Sequence, residues 1–178
     1  MQADRVIALR TVPAGVADAS RRVRHNTIVA DVVRRVPGVQ SLAFIDVPLL
    51  QRAVRGSRFR PPMSVPHPAG TNTDATITPE YFETMGMVLR TGRGLTAEDR
   101  GRGGVINESL ARRYWRDRNP VGEFIRYDDG AREIVGVVSD IRDFSLDYPS
   151  LPTLYYVWDE ANPPIATIVV RFAGSGPR

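Results

Sequence analysis

The chain contains no cysteine and no lysine. Without cysteine there are no disulfides, no thiolate metal ligands and no Cys nucleophile. That absence leaves the compartment open, because cysteine-free domains occur on both sides of a membrane. All 24 basic residues are arginine, so a Walker-type phosphate site and a Schiff-base lysine are excluded. Histidine is almost as scarce, with only His25 and His67. No apolar run approaches the roughly eighteen residues needed to span a bilayer. The opening "MQADRVIAL" lacks the basic start and apolar core of a signal peptide. The sequence therefore reads as a soluble piece.

The 178 residues allow one ordinary domain or two small ones. A hydrophobic fraction of 42% with 25% charged residues fits a folded protein rather than a disordered one. The 15 Gly and 14 Pro point to many turns and short elements. A formal charge of +4 permits contact with nucleic acid or anionic lipid. The arginines, however, are scattered among 20 acidic residues, which favours a solvated surface.

Hydrophobic periodicity and turn chemistry divide the chain into short elements. Residues 5–12 alternate as a strand and "PAG" breaks it. Residues 17–35 read as a helix whose apolar stripe takes in Val16, Ala19, Val23, Ile28, Val32 and Val33. Pro37-Gly38 stops it, and 39–47 is a second strand, completing a β-α-β unit. Residues 48–70 are irregular and rich in Arg and Pro; they fit a loop, an edge strand or a boundary, and mobility is expected there. A strand over 71–78 places Ala75 and Ile77 on one face.

The segment "TPEYFETMGMVLRTGRGLTAED" (78–99) carries careful punctuation. Thr78 is expected to cap a helix with Pro79 at its first position and Gly86 ending it in the left-handed conformation. "MVLR" is then a strand, "TGRG" a turn, and Thr96 with Asp99 have capping-box spacing. "GVIN" is a strand, and Asn107 caps a helix in which Leu110 meets Tyr114 and Ala111 meets Trp115. "DDG" marks a hairpin between "EFIRY" and "AREIVGVVSDI". Residues 134–138 read as a central strand buried on both faces, and 151–158 and 165–172 as two more strands.

The candidate chemistry is thin. His25 lies on the helix and His67 in a Pro-rich loop; with two His and no Cys, zinc would need carboxylates at a spacing that is absent. Asp128, Asp129, Asp140, Asp143 and Asp147 form the densest acidic region. Paired carboxylates serve as acid and base or bind a hard cation, yet aspartates at a hairpin tip also serve backbone geometry. "GRGLTAEDRGRGG" lacks the glycine spacing and the strand-then-helix context of a dinucleotide loop. Arg55, Arg58 and Arg60 around Phe59 could contact phosphates and stack a base, a weak signal from three arginines in a loop. No residue is assigned as catalytic, cofactor-binding or metal-binding.

Four motifs occur in order at close spacing: "ITPEYFETMGMVLRTGRGLTAED", "VINESLARRYW", "NPVGEFIRY" and "REIVGVVSDIRDFSL". Together they resemble the extracytoplasmic core domain of MacB/FtsX-like ABC transporter permeases, with most similarity to the duplicated permeases of acidobacteria. "RRVPGVQSLAF" and "IATIVVRF" fit the same pattern near the two ends. The resemblance implies an α+β fold: a split β-α-β porter-like subdomain with an inserted β-rich lobe containing short helices. On this sequence, 4–48 would be the first half of the split part and 49–70 an irregular connection. Residues 71–160 would be the lobe and 164–173 the start of the return half, whose second half is expected to be truncated.

The resemblance further implies a non-catalytic domain with no cofactor, on the periplasmic face of the inner membrane. Its partners would be the transmembrane helices of the same permease, a cytoplasmic ABC ATPase acting through them, and a periplasmic adaptor. The parent would be dimeric or pseudo-dimeric, and nucleic acid is not an expected partner. Tyr81, Phe82, Tyr114 and Trp115 would then be packing residues of a stiff body that passes motion outward. The alternative is a stand-alone small-molecule or lipid-binding module with a deep apolar pocket lined by these aromatics. An enzyme using the 128–147 carboxylates is a third reading.

Overall fold

The computed structural model describes residues 6–10, 18–46, 59–60, 72–116, 118–127, 130–141, 149–159 and 166–173. His67, Arg55, Arg58, Asp128, Asp129, Asp143 and Asp147 lie outside the described residues.

Among the described residues nine strands form one mixed sheet with three helices packed on it. In chain order these are β1 (Val6–Arg10), α1 (Ala19–Arg34), β2 (Val39–Ile45), β3 (Thr73–Ile77), α2 (Tyr81–Met85), β4 (Leu89–Gly92), β5 (Gly103–Asn107), α3 (Glu108–Tyr114), β6 (Phe124–Tyr127), β7 (Gly130–Val138), β8 (Thr153–Val157) and β9 (Thr167–Phe172). The strand order is β1-β9-β2-β3-β8-β5-β7-β4, with β6 also on β7. At one end the returning β9 runs antiparallel between β1 and β2, which makes the opening β-α-β a split unit. At the other end β7 pairs with β5 along one edge, while β6 and β4 share its other edge in succession. Ile134–Val138 are buried on both faces, with Val135 and Val138 in the α2-face cluster and Ile134 and Val137 under α3, as the unbroken apolar run requires.

Side-chain alternation sorts the core into layers. On β2, Ala43 and Ile45 point to the α2 face, whereas Leu42 and Phe44 point under α1. The α2-face cluster is continuous across the whole sheet, from Val169 on β9 through Ile77, Tyr81, Phe82 and Tyr155 to Val138 on β7. The opposite face carries two separate clusters. One lies under α1 around Ile168, Val170 and Trp158. The other lies under α3 around Leu110, Trp115, Ile125 and Ile134. Between them β3 presents Asp74 and Thr76, both half-buried and polar. Thus Tyr81, Phe82, Tyr114 and Trp115 are core residues.

Several local expectations needed correction. α1 starts at Ala19 because the Asp18 carboxylate accepts from Ser20 N (2.8 Å) and Arg21 N (3.3 Å). Its buried residues are Asn26 and Ala30, with Val29 and Val33 packed beside them. The expected stripe members Ile28 and Val32 are 56% and 59% exposed. Which flank of a weakly amphipathic helix is buried is decided by the sheet beneath it. Phe59, read as part of an arginine-rich loop, is buried against Ile106, Leu110 and Ile125, and Arg60 forms a bridge with Arg126. A ring in that core cannot stack on a base.

Candidate functional site

The narrowest part of the sheet is the contact between β2 and β3, a single ladder pair, Ile45 with Ile77. Side chains reinforce it from both sides. Thr78 N–H donates to Phe44 O (3.1 Å), and the Thr78 hydroxyl oxygen accepts from Phe44 N–H (3.1 Å). Asp46 accepts from Thr76 N–H and from the Thr76 hydroxyl, both at 3.0 Å, while its own N–H donates to Thr76 O. Trp158 N–H reaches Ile77 O (3.1 Å). Thr78 therefore ties two strands together and does not cap α2; Glu80 occupies the cap position with no side-chain bond. An unpaired strand-end N–H and a helix N-terminus compete for the same oxygen, and the strand wins here.

α2 sits directly beside this junction. Gly86 ends it at φ 71°, the left-handed geometry that glycine adopts without a Cβ penalty. A Cβ there would press on the Arg171 guanidinium. Arg171 projects from β9, and its Nε–H donates to Thr84 O at 2.9 Å. The last turn of α2 is thus held by the strand that pairs with β2 on its other edge. Tyr81, Phe82 and Tyr155 interlock below it, with ring centroids 5.4–6.3 Å apart in edge-on and tilted contacts. The polar gap on the opposite face is spanned by Tyr156, whose hydroxyl bonds Asp74 (3.2 Å). Arg132 lies over the Tyr127 and Tyr156 rings at 4.2 and 5.1 Å.

The segment after β4 specifies backbone geometry just as closely. Thr96 and Asp99 form the expected capping box around a single 3-10 turn at Ala97–Asp99. Asp99 is buried and also accepts a two-pronged pair from Arg93, at 2.7 and 2.8 Å. The Arg93 hydrogen bonds hold the Asp99 carboxyl down to about 2, with Thr96 adding to the effect against burial. The same pairing raises Arg93 further above its ordinary value. Gly92 (φ 75°) and Gly136 let the two backbones meet: a Cβ on Gly136 would overlap Arg93 O. The glycine-rich stretch is a backbone contact rather than a phosphate loop.

The other acidic candidate in view is structural too. Asp140 accepts from Ser109 N (2.9 Å) and Ser109 Oγ (2.8 Å), and Arg112 reaches it at 2.7 Å. It completes the N-terminus of α3 beside Asn107. The Asn107 Oδ1 accepts from Leu110 N (3.0 Å) and Thr153 N (2.9 Å), while its Nδ2 donates to Leu151 O (2.8 Å). His25 is half-buried on α1. Among the described residues no group of three His, Asp or Glu side chains could hold a metal, and no helix is long and apolar enough to cross a membrane. A groove of about 420 Å³ lies between α1, Phe44 and Trp158, and none of the α2-face rings Tyr81, Phe82 and Tyr155 is in its lining.

Sequence reading missed Arg171, Asp46 and Arg93 as tying residues. Arg171 carried a usable signal, a lone charge inside the apolar strand "IATIVVRF" that must find an acceptor when half-buried. The partners of Asp46 and Arg93 follow only from strand order.

No curated protein matches this chain. Solved structures do. The periplasmic region of MacB from Actinobacillus actinomycetemcomitans aligns over 98% of this chain and 77% of its own, at 19% identity and a TM-score of 0.59. A domain of a putative permease from Porphyromonas gingivalis aligns over 98% and 77%, at 18% identity and a TM-score of 0.61. The extracellular domain of the ABC-type transporter YknZ from Gram-positive bacteria aligns over 96% and 84%, at 16% identity and a TM-score of 0.57. At such identities these likenesses establish the fold. The model of the MacB-like periplasmic core domain matches residues 3–175, and the chain belongs to that family, the periplasmic domain of MacB-like ABC transporter permeases.

Proposed function

We propose that this domain is a non-catalytic coupling body. It passes the movement of the permease's membrane helices, driven by a cytoplasmic ABC ATPase, to substrate handling or to a periplasmic adaptor. In this reading residues 4–48 and 164–173 form the split part that receives the motion, 49–70 connect, and 71–160 form the lobe that delivers it. The parent permease works as a dimer or pseudo-dimer.

The observation that carries the proposal is the continuous apolar layer on the α2 face, which crosses the β2–β3 junction without a break. A layer packed at interior density resists compression and transmits displacement. The Arg171–Thr84 bond and the Asp46 and Thr78 clips add directional ties at the same place. The partnered aspartates Asp99 and Asp140 support a structural rather than a reactive role. The stand-alone binding reading needed the lobe's aromatics around a deep pocket, and those rings are in the core.

The test is a full-length permease with its ATPase carrying Asp46→Ala and Thr78→Val together. Loss of the clips should leave ATP hydrolysis near the parental rate while the exported or mechanical output falls severalfold. An output that stays proportional to hydrolysis would reject coupling through this junction.

A further inference from the structure

We infer that the groove beside α1 binds an uncharged, largely apolar small molecule through one hydrogen-bond acceptor held by Asn26. The groove has a volume of about 420 Å³, within the roughly 300–1,000 Å³ of small-ligand sites. α1 supplies Asn26 and Ala30, β2 supplies Leu42 and Phe44, and Pro79 and Trp158 complete the lining. The Phe44 and Trp158 rings lie 5.1 Å apart at 32°. Ala30, one turn beyond Asn26 on the same flank of α1, is small enough to leave the space above these rings open. These residues come from the stretches 18–46, 72–116 and 149–159, each described without a break.

Asn26 is the residue out of place. It is 9% exposed and lines the groove, yet its Nδ2 has no hydrogen-bond partner. A buried donor without an acceptor costs stability. Asparagine is also a poor helix former, and this one stands inside α1 on its buried flank. A residue that opposes both helix propensity and burial is the kind found at sites of function. The two hydroxyls nearby are engaged: Thr27 donates to Val23 O at 3.0 Å, and Thr78 accepts from Phe44 N–H at 3.1 Å. The terminal torsion of asparagine is soft, so the amide can turn its N–H towards an acceptor lying over the rings.

The lining selects the occupant. An ion would shed its water over Leu42, Phe44 and Trp158, and a neutral amide does not offset that cost. The charged members of the lining, Arg34 and Glu80, are exposed, and Arg34 pairs with Asp31 at 3.5 Å. A plain hydrocarbon would leave the Asn26 donor as it is. A compact ring system with one carbonyl covers the aromatic surface and satisfies the amide together. Such binding does not depend on whether the domain couples motion.

Prodan, an uncharged naphthalene with a propionyl ketone and polarity-sensitive emission, is the probe, titrated against this chain. Its 6-propyl counterpart, which lacks only the ketone oxygen, is measured by competition. The ketone's advantage over the propyl compound should fall about tenfold on passing from the parent chain to Asn26→Leu. Thr27→Phe, made at an exposed position of the lining, should fill the groove and weaken Prodan at least about tenfold. It leaves the core untouched, so an Asn26 variant that fails to fold does not end the test. Ile28→Ser with Val32→Ser removes exposed apolar side chains of α1 outside the groove and should change binding less than about twofold. Four results would overturn the inference: no saturable Prodan binding, a ketone preference unchanged in Asn26→Leu, full binding by Thr27→Phe, or equal weakening by the Ile28 and Val32 pair.

Discussion

Asp99→Asn isolates the charge at a position where shape is conserved. The new amide keeps an oxygen for Thr96 N–H, which Asp99 accepts at 2.8 Å, but loses the ionic half of the Arg93 pair. The Asp99 carboxyl is lowered from 3.8 to about 2, first through the Arg93 hydrogen bonds. Nearly two pH units at ~1.4 kcal/mol each, trimmed for the solvent around Arg93, give about 2 kcal/mol at neutral pH. The trimming is needed because the Arg93 side chain is 54% exposed against 7% for Asp99. A depressed folded-state value means this stability is fully present above about pH 4 and drains away as the pH falls towards about 2. Urea unfolding followed by tryptophan fluorescence suits the measurement, since Trp115 and Trp158 are both buried. The amide variant lacks the titration, so its deficit of about 2 kcal/mol at neutral pH should shrink by roughly half near pH 3. A deficit that stays constant with pH would place the cost in packing against Gly103 and refute the electrostatic account.

Two further substitutions probe the backbone and the α3 cap. Gly136→Ala should cost at least about 2 kcal/mol in urea unfolding, because the new methyl overlaps Arg93 O on a backbone that cannot retreat; an unchanged midpoint would show that β4 and β7 can separate freely. Asn107→Ala leaves Leu110 N–H and Thr153 N–H without their acceptor at a fully buried site, and Leu151 O with only the Thr153 hydroxyl. A loss of about 3 kcal/mol and a matching fall in thermal midpoint are expected.

Elements defined by local chemistry were legible in the sequence. Gly86, the Thr96–Asp99 box and the Asn107 cap each follow from residues within four positions of one another, and each stands where the spacing put it. The DDG hairpin is also local, and β6 pairs β7 from Tyr127–Gly130 onward. What was not legible depends on partners far along the chain. Thr78 has the composition of a helix cap, but Phe44 N–H, 34 residues earlier, takes its oxygen. Phe59 looks like a surface residue among arginines until β6 and α3 close over it. Ile28 and Val32 sit at proper helical spacing for a buried stripe, yet the sheet meets Asn26 and Ala30. Arg171 carried a signal in the sequence as a lone charge in an apolar strand, whereas the partners of Asp46 and Arg93 emerged only with the strand order.

The sheet is backed unequally on its two sides: an unbroken hydrophobic layer on the α2 face, and on the other two blocks parted by Asp74 and Thr76. A slab that is solid on one side and slotted on the other folds towards its slot, since closing a slot strains little and bending the other way would compress the solid side. Load on this domain should therefore draw α1 and α3 together like the covers of a book, with Ile45–Ile77 as the spine. Spin labels at Arg34 and Arg113, one on each cover, should register shortening, never lengthening, as the permease turns over.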